Sequence, residues 1–204
     1  MRHTGPRLKI MRALGTELPG LSRKSIENRP HPPGQHGAKL FATRKSEFGK
    51  QLREKQKLKF NYGLSERQMR RLMTEARGAS GNTGATMLEL LECRLDNFVF
   101  RAGFAPTLIA ARQLVNHNHV LLNGRTANIA SIRVRAGDEI TIRERARKIP
   151  SVIEALAAPV LERPEWLGFD DSKQSARMTR LPLPEEVPFP VEIQQVIEYY
   201  TQRL

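Results

Sequence analysis

The chain has 204 residues, enough for one or two domains with a real core, and its hydrophobic (39%) and charged (27%) fractions are those of a globular protein. Its charge is not balanced: 34 Lys and Arg against 21 Asp and Glu leave a net +13 and an isoelectric point near 10.6, which is the footprint of a polyanion binder. The single cysteine excludes an intrachain disulfide, and no apolar run approaches the ~18 residues of a membrane-spanning helix.

The charge falls unevenly. Residues 1–92 carry net +11, residues 93–150 net +6 and residues 151–204 net −4. The first three quarters are therefore expected to meet the polyanion, with the acidic tail facing elsewhere. Residues 1–44 are rich in Pro, Gly and base without a sustained period, which predicts an extended arm that orders on a partner. Its start, "MRHTGPRLKIMRALG", lacks the apolar core of a secretory signal.

Ser46 is placed to cap a helix whose apolar positions Phe48 and Leu52 are four apart, with Gly63 just past its end. Arg53, Lys55, Lys57 and Lys59 crowd its second half. Ser65 and Gln68 predict a capping box for the next helix. Its Met69, Leu72, Met73 and Ala76 fall at core spacing, with Arg67, Arg70, Arg71 and Arg77 on the other side. "GASGNTG" reads as a turn, and Thr83 or Thr86 starts a helix that offers Leu88, Leu91 and Leu95 to the core.

From Cys93 the pattern changes. Leu95, Phe98, Val99 and Ala102 form a short helical stripe closed by Gly103, and Thr107 caps a second helix with Ala111, Leu114 and Val115 inward. Asn118 suits the left-handed conformation that ends it. "HVLL" reads as a strand, and Asn123-Gly124 is a hairpin signal because both residues tolerate positive φ. Ile132 with Val134 and Ile140 with Ile142 read as two more strands around the turn "RAGDE". The expected result is a compact α+β unit. Beyond Ser151 one helix should break at Pro159, "TRLPLPEEVPFP" should be extended, and Ile193, Val196, Ile197 and Tyr200 should dock a last helix.

In this unit the inward positions leave Arg112 and Gln113 pointing out, with His119 and Arg125 flanking the hairpin. Arginine forks match phosphate oxygens in paired hydrogen bonds, and amides at a helix start add donors. The pattern suits a phosphate backbone.

The stretch "RLDNFVFRAGFAPTLIAARQLVNHNHVLLNGR", followed by "IASIRVRAGDEITIRE", resembles the small RNA-binding module named after small-subunit ribosomal protein four. "GPRLKI", "PPGQHG" at 32–37, "LREKQKLKFNYGLSERQ" at 52–68 and "VIEYY" near the end extend the resemblance to that ribosomal protein family, in its bacterial and organellar form, over almost the whole chain. The resemblance implies an α+β protein in which a module of two to three helices on a small antiparallel sheet is inserted into a helical domain. The arm would be residues 1–44, the helical domain 45–92 completed by 180–204, and the module with its extension 93–179.

It further implies a structural protein of the small ribosomal subunit, in the cytoplasm or an organelle. Such a protein binds small-subunit (16S-type) rRNA directly and helps nucleate assembly. It contributes to decoding accuracy at its interface with small-subunit ribosomal protein five, and lies close to mRNA at the entry site. The rRNA contacts it assigns are Gln35, His36, Arg53, Lys55, Lys57, Arg94, Arg112, Gln113, His119, Asn123 and Arg125. Asp96 of "RLDN" is assigned a structural role, capping its helix.

Some members hold zinc in the arm through a cysteine cluster. Here the arm has no cysteine, and His3, His31 and His36 without a thiolate make a poor zinc site, so no metal and no cofactor are expected. Enzymes that carry this module place a catalytic domain beside it. The flanks here show no dinucleotide fingerprint, P-loop or metal-ligand cluster, so no catalysis and no catalytic residue are expected.

Overall fold

The computed structural model describes residues 5–37, 39 and 46–203; His3, Arg44 and Lys45 of the arm lie outside them. The chain divides into two units, one of Met1–Met87 with Pro188–Leu204 and the other of Leu88–Val187. Each is taken by itself.

The first unit is helical. It contains α1 (Arg7–Leu14), α2 (Glu47–Asn61), α3 (Glu66–Gly78), the start of α4 (Thr83–Glu92) and, returning after the second unit, α9 (Ile193–Thr201). The Ser46 hydroxyl accepts a hydrogen bond from the Gly49 amide at 3.2 Å and starts α2. Ser65 and Gln68 close the expected capping box, with reciprocal hydrogen bonds of 2.9 and 3.3 Å. Along α3, Met69, Leu72, Met73 and Ala76 are buried, and Arg67, Arg70, Arg71 and Arg77 are exposed.

Phe48 is 47% exposed; it stacks on Tyr199 at 6.0 Å, and the Arg203 guanidinium lies 4.8 Å from its ring. One expectation fails in this unit. The arm is not extended throughout. It begins with α1, which stops at Gly15 in the left-handed region, φ 63°, and its Met11, Leu14, Leu18 and Leu21 are buried. Burying these four apolar residues offsets the cost of ordering the segment. Further on, Gly37 is required by close approach, because a Cβ there would lie 1.9 Å from the Pro32 carbonyl oxygen.

The second unit is the expected α+β body. After the end of α4 come α5 (Leu95–Arg101), α6 (Leu108–Asn116), β1 (Val120–Leu122), β2 (Arg125–Ala127), β3 (Glu139–Ile142), α7 (Glu144–Arg147), α8 (Pro150–Ala157), β4 (Leu167–Asp170) and β5 (Ser175–Met178). The strands form one antiparallel sheet in the order β2-β1-β3-β5-β4. The β1–β2 turn is Asn123-Gly124, with φ of 50° and 75°, the two positive values a tight right-twisted hairpin needs.

One sheet face carries Val120, Ala127, Ile140, Ile142, Ala176 and Met178, all buried. Thr126, Glu139 and Arg177 on the other face are exposed. Elsewhere in this unit Phe98 of α5 packs against Trp166, ring centroids 5.8 Å apart. The helix beginning at Pro150 ends at Ala157, before Pro159, as its proline predicts.

Ile132 and Val134 do not form a strand. Their backbone is spent on residues 93–95 instead: the Leu95 amide donates to the Ile132 carbonyl and the Val134 amide to the Cys93 carbonyl, both at 2.8 Å. One isolated bridge, Arg94 with Arg133, is all the pairing recorded there. Strands β4 and β5 were not expected, since "LGFD" and "SARM" have weak intrinsic strand preference; β5 is set by pairing along β3, and β4 by pairing along β5.

Candidate nucleic-acid interface

The second unit sorts its arginines into two sets. The inner set surrounds Asp96, a carboxylate in the first turn of α5 with no exposed surface. Arg94 Nε and Nη2 donate to its two oxygens at 3.0 and 3.1 Å. Arg112 Nε, from α6, donates at 2.7 Å, and the Asn97 amide donates at 3.0 Å. Asp96 is therefore not the N-cap: Arg94 holds that position, and the carboxylate clamps two guanidinium groups at the positive end of the helix. Beside it, Asn97 Nδ2 donates to the Glu92 carboxylate at 3.0 Å, and Arg101 Nε lies 3.4 Å from the same group.

The outer set lies on the surface. Arg125, Arg133, Arg135, Arg145 and Lys148 are exposed, and Arg143 is partly so. Arg143 donates to the Thr126 hydroxyl, which ties α7 to β2 next to Arg125. Arg147 is used inside the fold, donating to the Ile142 and Lys173 carbonyls at 3.1 and 2.8 Å.

His119 stands at the start of β1 close to this set. Burial of the ring, then the positive charges of Arg145, His117 and Arg143, hold its imidazole below the ordinary histidine value. At neutral pH it is uncharged, with one nitrogen to donate and one to accept. Beside it, between α6 and α8, lies a cavity of about 140 Å³ walled by Pro106, Leu114 and Ile149 and edged by Gln113, His119 and Ser151.

The expected contact residues separate on this geometry. Gln35, His36, Gln113 and Arg125 are exposed, and Arg53 and His119 partly so. Arg112 was expected to point out. It is instead 7% exposed and turned onto Asp96, because the buried carboxylate draws in a residue on the flank of the helix. Arg94 is buried by the same group.

Lys55 and Lys57, in the first unit, also turn inward. Lys55 pairs with Glu66 at 2.9 Å and lies 4.7 Å over the Tyr199 ring. Lys57 pairs with Glu54 at 2.7 Å and donates to the Pro190 carbonyl at 3.2 Å. Asn123 is exposed, yet its side chain stitches the hairpin to the neighbouring turn, donating to Asp138 at 2.8 Å and accepting from the Glu139 amide at 2.9 Å.

Arg143, Arg145 and Lys148 are not among the contacts expected from the sequence. Their signal was available as the charge run "RERARK", four basic residues against Glu144. Among the described residues no three His, Cys, Asp or Glu side chains gather to hold a metal ion, and no helix is long and apolar enough to cross a membrane.

Comparison with known proteins adds to this geometry. Residues 2–92 match the family described as Ribosomal protein S4/S9 N-terminal domain, and residues 93–140 match the S4 domain. The chain is 63% identical over 203 residues to small ribosomal subunit protein uS4 of Methylobacillus flagellatus, covering 100% of this chain and 99% of that protein. It is 62% identical over 203 residues to uS4B of Nitrosomonas europaea, with the same coverage. It is 48% identical over 204 residues to uS4 of Thermosynechococcus vestitus, covering 100% of this chain and 99% of that one.

Proposed function

Because the chain belongs to the small ribosomal subunit protein uS4 family, we propose that it is a structural component of the small ribosomal subunit that binds the subunit's rRNA directly. Like the family, it is not an enzyme. The observation that carries the RNA contact is the separation of the arginines. Arg94, Arg101 and Arg112 are neutralised inside the second unit. Arg125, Arg143 and Arg145 gather outside it around His119 and β2. Exposed cations that no carboxylate pairs are the means of neutralising phosphates.

The contacts proposed on this surface are Gln113, His119, Arg125, Arg143 and Arg145. Gln35, His36 and Arg53 contribute from the first unit. The second unit, Leu88–Val187, acts as the RNA-binding module with its extension, and the first, Met1–Met87 with Pro188–Leu204, as the helical domain. Family membership supports the finer roles: nucleating small-subunit assembly, an interface with small-subunit protein five that influences decoding accuracy, and proximity to mRNA at the entry site.

Filter binding of the purified chain to small-subunit rRNA tests the contact. Replacing Arg125 and Arg145 together with alanine should weaken binding by about 2–4 kcal/mol, at roughly 1–2 per charge-assisted contact. Unchanged affinity would remove this surface from the interface. Incorporated into subunits, the chain should also stay with the particle through a high-salt wash.

A further inference from the structure

The cavity beside His119 has a chemistry that the basic surface does not explain. Its volume, about 140 Å³, is on the order of ten times the space one water needs. Four polar side chains line it: the Gln113 amide, the His117 and His119 imidazoles and the Ser151 hydroxyl. Each both donates and accepts hydrogen bonds. His119 Nδ1 is closed off from solvent, which leaves Nε2 as the ring nitrogen able to meet a ligand. The walls contributed by Pro106, Leu114 and Ile149 are apolar.

A phosphate would call for cations or a cluster of backbone amides at the lining. No arginine or lysine is among the lining residues; Arg143 and Arg145 stand outside. Apolar walls with a few polar donors and acceptors suit a planar heteroaromatic ring instead. The exposed His117 ring, 6.1 Å from that of His119 and tilted 56° to it, offers a stacking face at the same place.

We propose that this cavity receives one unstacked nucleobase of the RNA bound by the second unit, with Gln113 and His119 reading the edge of that base. The inference rests on the RNA-binding role proposed above. It adds a contact that registers the module at one nucleotide, where the arginines grip the backbone without regard to sequence.

The test uses the full chain bound to small-subunit rRNA. The complex is probed with dimethyl sulfate and a carbodiimide, which modify the pairing edges of unpaired bases, and with hydroxyl radicals, which report the backbone. Two variants fill the cavity: Ala110→Leu from the α6 wall and Ser151→Leu from the exposed rim, where refolding is not at issue. The native chain should protect one unpaired base that both variants leave reactive. The backbone footprint should persist, and affinity should fall about tenfold, the scale of one lost base stack.

If Ser151→Leu gives the same base protections and the same affinity as the native chain, the cavity holds no base and the inference fails while RNA binding stands. If the native chain leaves no backbone footprint, RNA binding itself fails and the inference falls with it.

Discussion

Asp96 shows how one buried group decides the fate of its neighbours. Its carboxylate has no exposed surface and carries hydrogen bonds from Arg94, Arg112 and the Asn97 amide. Removing its charge strands two buried guanidinium groups, and breaking a buried ion pair from one side costs about 3–5 kcal/mol. Asp96→Asn should therefore lower the stability of the second unit by that amount. Urea unfolding followed through the fluorescence of Trp166, the chain's single tryptophan, measures it, and an unchanged midpoint would contradict it. The inward turn of Arg112 was legible only in part. Successive helical residues are rotated by roughly 100°, so with Ala111 inward Arg112 falls on the flank and Gln113 on the outer face. Spacing alone leaves the flank open; the carboxylate beneath closes it, and that carboxylate belongs to another helix.

At the scale of the element, α9 is held by polar bonds as much as by its buried Val196 and Tyr200. The Tyr200 hydroxyl donates to Glu66 at 2.9 Å, Lys55 donates to the other oxygen of that carboxylate at 2.9 Å, and Gln51 donates to Glu198 at 3.1 Å. Burial alone would raise the Glu66 value. Hydrogen bonds from Lys55 and Tyr200, with the charges of Lys55 and Lys59, outweigh it and hold the carboxyl below its ordinary 4.5. A depressed carboxylate contributes stability that is fully present above the unfolded value and is lost as pH falls through the folded one. Amide-exchange protection of α9 should thus decline as pH drops below about 4.5, and Glu66→Gln should abolish that dependence and leave α9 weakly protected at every pH. The helices themselves could be read from caps and periodicity, as Ser46, Ser65, Gln68 and Thr107 show. Strands β4 and β5 could not, because β5 is set by its pairing with β3 and β4 by its pairing with β5, and their own residues argue for nothing in particular. Helix α1 was hidden by its breakers, although Met11, Leu14, Leu18 and Leu21 carried the pattern.

For the whole molecule, the net +13 overstates what is available to a polyanion. Arg94, Arg101, Arg112, Lys55 and Lys57 are buried against carboxylates, and a cation already paired inside the fold releases no counterion from RNA. The exposed remainder still supports a broad contact. If about eight phosphates are neutralised, the logarithm of affinity should fall with the logarithm of salt concentration with a slope of roughly −6 to −7. A salt series in the rRNA binding assay measures this, and a slope near −2 would reduce the contact to a small patch. The sign and rough size of the interaction were plain in the composition. Which cations take part was not, because pairing depends on side chains brought together from different helices.

The helical unit is made of two pieces of chain, Met1–Met87 and Pro188–Leu204, with all of Leu88–Val187 between them. Synthesis runs in one direction and contiguous domains fold as units while it proceeds. The intervening body needs no residue that follows it, whereas the earlier helices must wait for α9 to emerge. The part of the chain that is decoded first is the last to close.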